Sequence, residues 1–315
     1  MKLQKKMIIL SLVALLVAIL YVFWNLDLAI LRYSLTRRIP RLIALVLTAT
    51  MIAIASLFFQ TITNNRILTP NSLGLDSLYV MGQTLIVMVT TRMRIVTPNS
   101  TINFLISTTI MGSFSLVLYR LLFKERQNMY LLLLIGAILG TLFRSLTGFF
   151  QMILDPNEFA LLQGRLFASF NNIQSNLIFV ALILFLLLIP FIYDYFQSLD
   201  VLLLGREQAL NLGIDYNKIT QRIFLVVVIL TAISTALVGP ITFLGLLVVN
   251  LSYEILKTYK HVYLMIGAIL ISIITLVGGQ LILERWFNFS IPLSVIINLV
   301  GGAYFVYLLI KERSA

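Results

Sequence analysis

The chain has 315 residues, of which 60% are hydrophobic and only 11% charged, with a net charge of +11, no cysteine and one histidine. A soluble domain carries about 25% charged residues, so this much apolar surface points to lipid as solvent. Disulfides, thiolate metal sites and a histidine-rich metal centre are excluded, and the positive charge reads as lysines and arginines flanking membrane spans, not as a nucleic-acid surface.

In chain order, ten apolar runs are long enough to read as membrane helices: 7–26, 42–63, 73–91, 101–121, 130–148, 175–193, 223–238, 241–256, 262–282 and 292–310. A helix needs about 20 residues to cross the hydrocarbon. The first run is too long for the core of a cleaved signal peptide and lacks a small-residue cleavage site, so it reads as a retained span. Gly239-Pro240 breaks the seventh run from the eighth, and a nine-span chain is the competing reading. With both termini inside, every lysine falls on the cytoplasmic side, as the positive-inside bias requires. Against that trend, Arg32, Arg37, Arg38 and Arg41 crowd into the first outer connection. They read either as charges solvated near headgroups or as a cationic docking patch for an acidic partner outside the cell.

Thr-Pro-Asn-Ser occurs at 69–72 and again at 97–100. Proline disfavours a continuing helix, and Asn or Ser can cap the next one. The two copies are expected on opposite membrane faces. Two intramembrane charges stand apart: Asp76, whose place near a helix start suits dipole compensation, and Arg144, which either snorkels, pairs across helices or lines a path for an anionic substrate. The outer insertion 151–175 is expected to hold a short helix over Glu158–Phe170.

The longest inner insertion, about 194–222, contains Leu204-Gly205-Arg206-Glu207-Gln208-Ala209-Leu210-Asn211-Leu212-Gly213. It predicts a short helix closed by Gly213. Such a helix is too short to stand alone in water and needs a surface, either of this chain or of a partner.

The sequence has no Gly-x-x-x-x-Gly-Lys-Ser/Thr phosphate loop, no Gly-x-Ser-x-Gly elbow and no His-Glu-x-x-His. It therefore does not read as an enzyme, and no cofactor is implied. The scarcity of intramembrane acids argues against an ion-coupled carrier, which remains the rival class.

From about Arg37 to the C-terminus, ordered motifs resemble the FecCD family of permeases in ABC importers for iron–siderophore complexes, heme and cobalamin. Arg38-Ile39-Pro40-Arg41 resembles the family's Arg-Leu-Pro-Arg. Asn65, Pro70, Leu73 and Gly74 match its second-span loop, although Arg66 replaces the usual first proline. Leu204, Gly205, Glu207, Ala209, Leu212 and Gly213 match its coupling loop. Val238-Gly239-Pro240-Ile241-Thr242-Phe243-Leu244-Gly245-Leu246 resembles Ala-Gly-Pro-Ile-Gly-Phe-Val-Gly-Leu, but Asn250 and Tyr253 stand where the family has histidine and arginine. The closing segment also follows the family, from Ile291-Pro292 through Gly301-Gly302.

The resemblance implies an all-α membrane protein of about ten transmembrane helices, with both ends inside, in a single permease domain 1–315 like the cobalamin-importer permease. It implies no catalysis by this chain. ATP is hydrolysed by a dimer of ATP-binding cassette subunits, which Gly205, Glu207, Ala209, Leu212 and Gly213 would engage. A substrate-binding lipoprotein or periplasmic protein would dock on Arg37, Arg38 and Arg41, with Arg285 a further contact. Asn128, Met129 and Tyr130 stand where the family carries its inner Ser/Thr gate. The expected cargo is a ferric siderophore, with heme or cobalamin the alternative. A second, related permease subunit is expected to complete the pathway, a homodimer being the simpler alternative.

Overall fold

A computed structural model describes residues 3–24, 31–93, 99–122, 129–166, 170, 173–287 and 291–313. Those residues form twelve α-helices and one 3-10 turn, with no strand among them. In chain order these are α1 Leu3–Phe23, α2 Leu31–Thr63, the 3-10 turn Pro70–Leu73, α3 Leu75–Arg92, α4 Ser100–Leu122, α5 Met129–Ile153 and α6 Pro156–Leu166. There follow α7 Ser175–Leu202, α8 Arg206–Asn211, α9 Tyr216–Val238, α10 Leu244–Leu256, α11 His261–Trp286 and α12 Leu293–Arg313. Part of the second Thr-Pro-Asn-Ser copy, and Asn128, lie outside the described residues.

Each of the ten apolar runs overlaps one helix, although 73–91, 241–256 and 292–310 begin before α3, α10 and α12 do and 7–26 extends past the end of α1; seven helices (α1, α2, α4, α5, α7, α9 and α11) are long and apolar enough to cross a bilayer. The chain is thus an all-helical, multi-pass membrane protein. The core centres on α2 and α9, whose apolar stretches are mostly buried. α2 packs on α9, α11, α10 and α7. α1 and α5 instead leave Leu12, Leu15, Leu16, Leu134, Ile138 and Phe149 exposed, the expected outcome for helices that meet lipid or another subunit.

Three sequence expectations change. α2 starts at Leu31 and runs through Pro40, so the arginine-rich segment is helical and not a connection. Proline removes one helical hydrogen bond, and Arg38 ties this part of α2 to α1 and α11 strongly enough to hold it. The short outer helix is α6, Pro156–Leu166, with proline at its first position, where its missing N–H costs nothing. Neither Asn71 nor Ser72 caps α3: Gly74 is the N-cap residue and no side chain bonds there, while the Ser72 hydroxyl donates to the Thr69 carbonyl (2.6 Å).

That 3-10 turn lies against the middle of α5. A Cβ on Gly74 would sit 2.8 Å from the Gly136 carbonyl oxygen and 2.8 Å from the Gly140 Cα. With φ +78° at Gly74, only glycine serves, both for the backbone and for the approach. α3 carries polar residues, and they are paired across helices. Gln83 donates to Ser107 Oγ (2.8 Å) and Asn103 Oδ1 (3.3 Å) on α4, as side chains must in a medium without water.

Candidate functional site

Two breaks in helical backbone meet inside the bundle. α9 ends at Gly239, with φ +93°, and α10 has only 13 residues, a rise of about 20 Å against a hydrocarbon core of about 30 Å. The Gly239–Phe243 turn is therefore within membrane depth. The 3-10 turn lies beside it: Asn71 Nδ2 is 3.5 Å from the Ile241 carbonyl. Irregular backbone at such depth is tolerated only where protein buries it or where it lines a cavity. Here it does both.

The cavity beside these turns has a volume of about 360 Å³ and is lined by α3, α5, α12 and the two turns, within the range of ligand sites. The two intramembrane charges that stand apart in the sequence come together on it. Asp76 Oδ2 accepts from the Thr242 hydroxyl (2.9 Å), while the buried Oδ1 has no hydrogen-bond partner among the described residues. The Arg144 Nε donates to Ser77 Oγ at a long 3.4 Å. Arg144 closes no ion pair with Asp76 among the described residues, although its charge acts on that carboxylate. Thr147, Ser294 and Asn298 add neutral polar groups. Sequence reasoning singles out Asp76 and Arg144 but has no signal for their meeting, since 67 positions separate Arg144 from Ser77.

The outer arginines divide by direction. Arg37 is exposed, its guanidinium 5.1 Å from the Tyr33 ring centre. Arg38 turns inward. It donates to the Val22 and Trp24 carbonyls at 2.8 and 2.9 Å and pairs with Glu284 at 3.5 Å, the two side chains being only 12% and 15% exposed. Arg285 donates to the same Trp24 carbonyl (2.6 Å) and is 3.9 Å from Glu284. Cations at the C-terminus of α1 satisfy its last carbonyls and oppose its dipole. Arg41 is half-buried in the next turn of α2, with its charge close to buried Tyr21. Glu284 goes unnoticed in a sequence reading; an acid at the end of the ninth run is its only signal.

α8 spans six residues. The Ile214 and Gly213 N–H groups donate to the Ala209 and Leu210 carbonyls (both 3.0 Å), a Schellman closure with Gly213 at φ +80°. Gly205 enters the helix at φ +90°. Ala209 is fully buried, whereas Leu204, Leu210 and Leu212 are 55%, 49% and 62% exposed, and Glu207 is exposed. Of the gate residues, Met129 and Tyr130 open α5; their side chains, like Asn128, lie outside the described residues.

The departures at 66, 250 and 253 fit one another. Asn250 Nδ2 donates to the Arg66 carbonyl (2.9 Å), and the Arg66 guanidinium lies 4.3 Å from the Tyr253 ring centre, a cation–π contact. Nearby, Asp200 Oδ1 accepts from the backbone N–H of His261 (2.9 Å) and lies 2.6 Å from its Nδ1, while the His261 Nε2 lies 2.9 Å from Thr61 Oγ1. This joins the ends of α7 and α2 to the start of α11.

Comparison with known proteins gives one consistent result. Residues 6–311 match the FecCD transport family. The chain is 53% identical, over 99% of both chains, to the petrobactin import system permease protein YclO of Bacillus subtilis. It is 34% identical to the petrobactin import system permease protein FatC of Bacillus anthracis, over 88% of this chain and 79% of that one. A solved structure described as an inward-facing metal-chelate type ABC transporter superposes with a TM-score of 0.85, covering 98% of this chain and 100% of the other at 20% identity; at that identity the likeness establishes the fold alone.

Proposed function

The chain belongs to the FecCD transport family, and from that membership we propose that it is the permease subunit of an ATP-driven importer for ferric siderophores in the cytoplasmic membrane. The observation that carries the reading is its full-length likeness to a petrobactin import permease. A petrobactin-type chelate is accordingly the first cargo to try.

In this reading residues 1–315 form one permease domain of ten membrane helices with both ends inside. A substrate-binding protein docks outside on Arg37, Arg38, Arg41 and Arg285. Two ATPase subunits engage α8 through Gly205, Glu207, Ala209, Leu212 and Gly213. The exposed leucines of α8 support this, because they are apolar surface that no part of the described chain covers. A second, related permease subunit completes the pathway, and Asn128, Met129 and Tyr130 form its inner constriction. ATP binding moves α8, α7 carries that movement into the bundle, and the pathway opens to each side in turn.

The test is uptake. A strain lacking this gene and starved of iron is grown on single siderophores, and radiolabelled ferric chelate is followed into vesicles carrying the chain, the ATPase and the binding protein. Transport that needs ATP and the binding protein is expected. Transport by the chain alone, driven by a proton gradient, would overturn the proposal in favour of a secondary carrier.

A further inference from the structure

We propose that the cavity between α3, α5 and α12 is an anion subsite for the chelate in transit, with Arg144 as the contacting cation and Asp76 as the positioning residue that weakens its grip. This rests on the permease reading and deepens it.

Four observations support it. The cavity is large enough for part of a ligand, at about 360 Å³. It is built at two helix breaks, where membrane transporters expose backbone polar groups to a substrate. Its walls carry both a cation and an acid that are not closed on each other, with Arg144 spending one long hydrogen bond on Ser77 and Asp76 leaving Oδ1 without a partner among the described residues. The rest of the described lining is uncharged, with Thr147, Thr242, Ser294 and Asn298 among its polar groups.

The chemistry follows from the charge. A ferric ion wrapped by catecholate or carboxylate oxygens is an anion whenever the ligand charge exceeds that of the iron. Crossing the bilayer interior, it needs a counter-charge, because an unpaired ion in low dielectric is costly. A lone guanidinium would supply it but would also hold the anion, and conduction requires binding weak enough to leave. A carboxylate beside the guanidinium lowers the local positive potential. Asp76 is fixed for that task by the Thr242 hydroxyl (2.9 Å), on the same turn that opens the cavity. The pair thus forms a tempered anion site, present but shallow.

The absence of cysteine makes the test clean. Asn298→Cys is introduced alone, and its reaction rates with an anionic and a cationic methanethiosulfonate of similar size are compared in vesicles. The anionic reagent should be favoured. Adding Arg144→Gln should lower the anion-to-cation ratio by about tenfold, and adding Asp76→Asn should raise it severalfold, the size of effect that charge focusing in a cleft produces. Ferric chelate delivered by the binding protein should slow the labelling, and the iron-free chelator should not.

In transport, Arg144→Gln should depress uptake strongly while ATPase association stays intact, and Arg144→Lys should recover most of it. The inference is overturned if the reactivity ratio ignores Arg144, if the thiol introduced by Asn298→Cys is unreactive toward both reagents, or if the double variant Asp76→Asn/Arg144→Gln transports normally, which would make the two residues a structural pair. Failure of the unmodified protein to transport any ferric chelate would instead overturn the permease reading. The labelling ratio in the Asp76→Asn background keeps the two apart, since it needs no transport and no change at Arg144.

Discussion

In the proposed orientation the arginine segment of α2 faces out and α8 faces in, and the two use exposed and buried groups in opposite ways. At the arginine segment the chain binds its own charge: Arg38 and Arg285 both reach the Trp24 carbonyl, and Glu284 pairs with both. Inside, α8 holds on by Ala209 and leaves three leucines in the open. A partner docking on the arginines, as proposed, would compete with Glu284 for a pair already formed, whereas one docking on α8 would meet apolar surface still to be covered. Outer docking is expected to be adjustable and salt-sensitive. Inner docking is expected to be tight and little affected by salt, because burial of apolar area drives it.

The largest effect should come from Ala209→Glu. A charge in place of a fully buried methyl must drag α8 off α7 and α9, and co-purification with the ATPase should be lost along with uptake. Next, Leu204→Ser, Leu210→Ser and Leu212→Ser together should weaken ATPase association by at least about 100-fold, each truncation forfeiting about 1.5–3 kcal/mol if the side chain is buried in the complex. The permease itself should keep its melting temperature. Unchanged ATPase capture would break the contrast at its inner end.

Arg38→Glu should act on both stability and docking. It sets a second carboxylate against Glu284 and strips the end of α1 of a donor, at a cost of about 2–4 kcal/mol; thermal unfolding in detergent would read this. Glu284→Gln sharpens the comparison further. Freed from its partner, Arg38 should bind the binding protein severalfold more tightly at low salt, with the gain vanishing at high salt. A fall in affinity would mean that Glu284 positions the arginine instead of competing for it.

The smallest effect concerns Asp215, the cap of α9, which accepts from the Lys218 N–H (3.3 Å) and pairs with its Nζ at 2.8 Å. Hydrogen bonding from Lys218, side chain first and backbone second, holds this carboxyl below its ordinary range. The unfolded chain then binds this proton more readily than the folded one. The contribution is full above about pH 4, the ordinary carboxylate value, and is lost as pH falls through the depressed folded value. Asp215→Asn should lower stability slightly at neutral pH, flatten the acid limb of a stability–pH curve and leave stability unchanged below the depressed folded value.

Much of this architecture is legible in the chain. The ten apolar runs, the short helices α6 and α8, and Gly213 as a helix stop follow from periodicity, length and turn chemistry alone. The mismatches are local as well. Proline usually marks a helix boundary, yet Arg38 bonds across to α1 and α11 and the helix continues through Pro40. The polar stretch Thr69–Ser72 reads as a turn at a membrane face, yet Gly74, Gly136 and Gly140 let it sink against the middle of α5.

The sequence by itself determined the solvent of this protein, its helical class and the positions of its unusual charges, because lipid selects residues one segment at a time and hydropathy is additive along the chain. Tertiary structure alone decided what those charges do. Arg38 reaches Glu284, Asp76 reaches Thr242 166 positions away, and Asn250 reaches Arg66 184 positions away. A hydrogen bond depends on a few tenths of an ångström between atoms whose separation is set by the packing of every helix between them, and no local pattern encodes that.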